Sequence, residues 1–113
     1  MKLTVIENYG SRVKEISQYA TVREITDTMN SINWKDFHQV VLTNDENNWV
    51  EVGGNITDDG LSVVYAEDKV QYIIVDPPTT VERMTKILLS YFAGDGRFNP
   101  HCSFCDQKQT IFC

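Results

Sequence analysis

Two groups of residues in this chain have the types and spacing that chemistry requires. The first lies near the C-terminus, where Cys102 and Cys105 form a CxxC pair with His101 beside it and Cys113 beyond. Thiolates and imidazole so placed can ligate zinc, but zinc takes four ligands in a tetrahedron, usually as two chelating pairs joined by a loop. Only one pair is complete: His101 is too close to Cys102 for both to ligate without strain, and Cys113 has no partner two residues away. A redox role needs the first cysteine at a helix N-terminus, where the dipole lowers its pKa, and no βαβ pattern leads into this one. A small zinc-binding adaptor built on His101, Cys102, Cys105 and Cys113 is therefore the alternative reading. No resident metal or cofactor is expected.

The second group is acidic. From Asp36 to Asp68 the chain carries eight carboxylates and no Lys or Arg. Asp45, Glu46, Glu51, Asp58, Asp59, Glu67 and Asp68, with Trp49 and Tyr65 among them, offer a negative surface with aromatic anchors, which suits a positively charged protein partner. Paired aspartates such as Asp58 and Asp59 are turn formers in most chains, so they are read as part of this surface rather than as an acid–base pair or a calcium site. Neither His38 nor His101 stands in a nucleophile motif, and no GxSxG, HExxH, GxGxxG or P-loop spacing is present. The chain is expected not to be an enzyme.

The elements that must position these residues follow from periodicity. Gln39 to Thr43, Trp49 to Val52, Leu61 to Tyr65 and Val70 to Val75 are short β-branched and aromatic runs separated by turn clusters, the pattern of an antiparallel meander. Gly53 and Gly54 are assigned to the second of those turns. Upstream, Lys2 to Glu7 and Arg12 to Ile16 alternate around a turn containing Gly10, which predicts a hairpin. Thr21 and Glu24 form a capping box ahead of Ile25, Met29 and Ile32, predicting a helix over Val22 to Ile32.

After the meander, Pro77 and Pro78 stop the last strand, and Thr79 with Glu82 repeats the capping pattern. A broad apolar face from Val81 to Phe92 then predicts a second helix, closed by Gly94. The expected fold is α+β: an antiparallel sheet of about five or six strands, from an N-terminal hairpin and a four-strand meander, with two helices packed mainly on one face. Period-two alternation puts Val50 and Val52 on one face of their strand and Trp49 with Glu51 on the other. Trp49 then stands on an outer face as an interaction anchor or packs beneath the first helix; Trp34 is expected in the core. Residues 1–98 form one domain and residues 99–113 a cysteine-containing tail.

Composition bounds the partners. Sixteen acidic against ten basic residues give a net charge of −6, which repels nucleic acid and anionic membranes alike. At 113 residues with 42% hydrophobic content, a single core is expected. The apolar run after Met1 stops at Glu7, too short for a signal peptide, and no stretch is long enough to span a membrane. With all three cysteines beyond residue 101, a reducing, cytoplasmic compartment is expected, and the chain is read as a monomer or weak dimer.

Three segments carry a resemblance: Asn48 to Gly54 (NWVEVGG), Asp59 to Tyr65 (DGLSVVY), and the helix end from Leu88 to Phe98 (LLSYFAGDGRF). In their order the chain resembles small immunity proteins of bacterial polymorphic toxin and contact-dependent inhibition systems, Imm family one in particular. The likeness covers the opening hairpin through Phe98, rests on hydrophobic and glycine positions, and does not extend to the cysteine tail. It implies a cytosolic, non-enzymatic protein that binds a cognate toxin domain, commonly a nuclease or deaminase, and blocks it.

Overall fold

Strands with one face to bury and helices with one apolar stripe have a simple joint solution, a sheet with helices on one side. The computed structural model describes residues 1–7, 10–57, 60–74, 77–93 and 104–106. In chain order the elements are β1 (Lys2–Glu7), β2 (Arg12–Ser17), α1 (Val22–Ser31), β3 (His38–Asp45), β4 (Asn48–Asn55), β5 (Gly60–Glu67), β6 (Val70–Ile74), α2 (Val81–Ala93) and β7 (Phe104–Asp106). The sheet is antiparallel throughout, in the order β2-β1-β3-β4-β5-β6-β7. This is the expected α+β class: the hairpin and the meander join through β1 and β3, and a three-residue β7 extends the sheet beyond the six expected strands.

Register decides which side chains are buried. Leu3, Leu42, Val50 and Tyr65 lie opposite one another across four strands, and Val5, Val40, Val52 and Val63 form the next row. All eight are buried, in one cluster with Ile25 and Met29 of α1 and Met84 and Leu88 of α2. Removing each such side chain from water contributes about 1.5–3 kcal/mol before entropy is subtracted. Both helices therefore cover this inner face. Trp34 is buried as expected, its Nε1 donating to the Met29 carbonyl at 3.1 Å.

The helix starts follow local chemistry. At α1 the capping box forms: the Glu24 amide donates to the Thr21 hydroxyl at 3.2 Å, and the Thr21 amide donates to the Glu24 carboxylate at 3.0 Å. At α2 the cap is displaced by one residue from the expected Thr79. The Arg83 amide donates to the Thr80 hydroxyl at 3.1 Å, and Glu82 instead sits 3.4 Å from Lys86, one turn on. Gly94, the expected closing residue, lies outside the described residues.

Gly53 and Gly54 are corrected from turn to strand. They continue β4, pairing with Ser62 and Leu61 of β5. The reason is close approach: Gly54 has φ +118°, and a Cβ there would collide with the Gly60 carbonyl oxygen. Among the described residues no helix is long and apolar enough to cross a membrane.

Candidate functional site

The same registers build the other face of the sheet. Thr4, Val41, Glu51, Val64 and Ile73 lie in one cross-strand row from β1 to β6, and Thr43, Trp49 and Ala66 in the row beside it. Because Val50 and Val52 point into the core, Trp49 and Glu51 stand together on this outer face, both half-buried. Of the two placements open to Trp49, the outer one is found. Both described helices pack on the opposite side.

Glu51 is the unusual group here. It is flanked across the strands by Val41 and Val64. Burial raises its pKa, opposed by a hydrogen bond from the Gln39 side chain. A carboxylate in that setting is partly stripped of water before any partner arrives.

At one end of the sheet the β3–β4 and β5–β6 turns meet. The Asp68 amide donates to the Asn48 side-chain oxygen at 3.2 Å and the Lys69 amide to the Asn47 carbonyl at 3.4 Å. Asp68 and Lys69 both have positive φ, 51° and 72°, the geometry of a two-residue hairpin turn. The coupling brings Asp45, Glu46, Glu67 and Asp68 to one acidic end, next to the row that holds Trp49. Asp45 accepts from the Asn47 amide at 2.8 Å and the Asn48 side-chain amide at 2.9 Å, and these bonds hold its carboxyl below the usual range.

One part of the expected surface lies elsewhere. Tyr65 is corrected from surface anchor to core. Its pairing with Val50 turns it inward, leaving 7% exposure, with Tyr72 and Tyr91 ring centroids both 5.9 Å away. Burial, and then a hydrogen bond with Glu67, push its phenol well above the usual range. Tyr91 is pushed up to about 12 by burial and by the charges of Asp45 and Glu67. Asp58 and Asp59 lie outside the described residues. Among the described residues the acidic surface comprises Asp45, Glu46, Glu67 and Asp68 at one end, continuous with Trp49 and Glu51. His101, Cys102 and Cys113 are also outside the described residues, and Cys105 falls in β7 opposite Ile73. Among the described residues no cluster of three metal-ligating side chains occurs.

A second polar constellation was not anticipated. Glu7 and His38 are cross-strand partners on β1 and β3, with His38 Nε2 3.9 Å from one carboxylate oxygen and Arg12 3.7 Å from the other. His38 Nδ1 lies 3.0 Å from the Asp36 carbonyl, and the ring meets Trp34 edge-on at 6.1 Å. Beside them a cleft of about 310 Å³ opens between β2 and the end of α1, floored by Val5, Ile16 and Ile32 and reached by Lys14. Thr28, Ser31 and Asn33 form its helix-side wall. The period-two pattern of β1 and β3 places Glu7 and His38 on the inner face once β1 is known to pair with β3. That nonlocal pairing has no signal in either segment alone.

No protein-family model matches this chain, and no curated protein and no solved structure matches it either.

Proposed function

We propose that this protein is an immunity protein: it binds a cognate toxin domain, a nuclease or deaminase, and neutralises it through the outer sheet face and the adjoining acidic end. The observation that carries this reading is the placement of Trp49 beside Glu51 on a face that neither described helix covers. A large aromatic ring next to a partly desolvated carboxylate is the composition of an interface hot spot, with the ring supplying contact area and the carboxylate receiving a cationic side chain. Asp45, Glu46, Glu67 and Asp68 extend the negative charge to the rim, where exposed charges act chiefly on association rate. Enzymes that act on nucleic acid present basic clefts, and such a surface competes for them by charge. With no hydrolytic motif in the sequence and a net charge of −6, a blocking role is the economical account of the chain.

The test is co-expression with the product of the adjacent reading frame, followed by co-purification and binding kinetics. The native chain should form a stable complex. Trp49→Ala should raise dissociation at least tenfold, the usual size of a hot-spot loss of about 1.4 kcal/mol or more. Glu46→Lys with Asp68→Lys should slow association in a salt-dependent way. Dissociation unaffected by the loss of Trp49 would remove the outer face from consideration.

A further inference from the structure

On the inner side, away from the outer face and independent of its reading, we infer that the cleft between β2 and the end of α1 is a binding site for a small aliphatic zwitterion with the chemistry of a free amino acid. Three observations converge. The first is shape: about 310 Å³, at the lower end of the roughly 300–1,000 Å³ that ligand pockets occupy. Its floor of Val5, Ile16 and Ile32 suits a short branched hydrocarbon.

The second is a cation subsite. Glu7 faces His38 Nε2 at 3.9 Å and Arg12 at 3.7 Å, beyond hydrogen-bond distance of either. His38 Nδ1 lies 3.0 Å from the Asp36 carbonyl, so the ring is held by that contact rather than by a hydrogen bond to Glu7. A carboxylate that makes no hydrogen bond to either neighbour keeps its acceptor capacity for a donor carrying several hydrogens, and an ammonium group is such a donor. The end of α1 borders the same cleft and carries no basic residue in its last turn, so the negative end of its dipole adds to the preference for a cation.

The third is an anion subsite. Lys14 lines the cleft from β2, facing inward through its pairing with Val5, and has no ion-pair partner among the described residues. Glu7 and Lys14 are diagonal neighbours on the paired strands β1 and β2, one negative and one positive group side by side above the apolar floor, and they match a molecule that carries an ammonium and a carboxylate on one carbon. A simple amine leaves Lys14 unused, and a simple acid leaves Glu7 unused.

Trp34 provides the readout, because it touches His38 edge-on. In a Trp49→Phe background, Trp34 is the sole tryptophan. Its emission is titrated with L-valine, with isobutylamine, which lacks the carboxylate, and with isovalerate, which lacks the amine. L-valine should saturate below about 10 mM, and each truncated analogue should bind at least tenfold more weakly. Glu7→Gln and Lys14→Met should each weaken L-valine by a similar factor; Lys14 is exposed, so its variant remains informative should Glu7→Gln fail to fold. No saturable change with L-valine, similar binding of all three compounds, or unchanged L-valine affinity in folded Lys14→Met would each overturn the assignment.

Discussion

Replacing Gly54 by alanine tests whether the geometry of the β4–β5 ladder is what holds both surfaces in place. A Cβ at this position would collide with the Gly60 carbonyl oxygen and approach Gly60 C and Leu61 Cα at 3.1 Å each. All three are backbone atoms, so relief requires β5 to move. The φ of +118° adds a conformational cost of about 1–3 kcal/mol for an L-residue. Overpacking typically adds about 1–3 kcal/mol more, which puts the total on the order of 4 kcal/mol, a large part of the roughly 5–15 kcal/mol of a domain this size. At about 4 °C per kcal/mol, the melting temperature should fall by about 15 °C. Gly53→Ala is the internal control. Its φ is ordinary, and its added Cβ meets the Gln39 side chain at 2.9 Å and the His38 carbonyl oxygen at 3.1 Å. Relief moves the Gln39 side chain and costs its hydrogen bond to Glu51 but does not require β5 to move, so the cost should be about 2 kcal/mol, still well below that of Gly54→Ala. Urea or thermal unfolding of both variants, followed by circular dichroism, decides the matter. A Gly54→Ala variant within about 1 kcal/mol of the native chain, or a Gly53→Ala variant that is the worse of the two, refutes the close-approach argument.

Two further outcomes follow from the same reasoning. Glu51→Gln should stabilise the free protein at neutral pH, because burial opposes the charged form of Glu51. The sign is fixed by linkage: the folded-state pKa is raised, so the favourable contribution of protonated Glu51 is present below the ordinary glutamate range and lost as pH rises through its elevated value. The advantage of the glutamine variant should therefore vanish on acidification, and a difference that is flat with pH would contradict it. Thr21→Ala should cost about 1 kcal/mol by removing the acceptor for the Glu24 amide, whereas Thr21→Ser should cost little; Thr21 is exposed, so packing loss does not compete. Equal destabilisation by alanine and serine in urea melts would show that the cap contributes nothing.

Much of this architecture is legible in the sequence because the signals are local. The Thr21 box, the stripe containing Ile25 and Met29, and the alternation that buries Val50 and Val52 all act within one turn or one strand. Misreadings arise where a neighbour in space overrides the segment. Thr79 has the capping-box spacing with Glu82, yet the hydroxyl that accepts from the helix is that of Thr80, whose third residue on is Arg83, so the local pattern does not select it. Glycine pairs mark turns in general, yet Gly53 and Gly54 extend a strand because β5 comes close there. Tyr65 is polar enough for a surface and large enough for a core, and its pairing with Val50 places it in the core. The Glu7 and His38 pair depends on β1 lying between β2 and β3, a choice of partners that neither strand encodes by itself.

One strand, β3, serves both proposed surfaces, and that makes register the property on which they jointly depend. His38, Val40 and Leu42 face the helices, while Gln39, Val41 and Thr43 face outward. Gln39 supports Glu51 on the outer face, and the preceding residue, His38, approaches Glu7 on the inner one. A slip of one residue between β3 and β4 would exchange these sets, exposing the core valines and burying the polar groups of both sites. Gly54 sits opposite His38 on one side and Leu61 on the other. Displacement of β5 by a side chain at that position acts on the ladder where His38 is held. Gly54→Ala should for this reason disturb the inner cleft more than the distant acidic end around Asp45 and Asp68, even in molecules that remain folded.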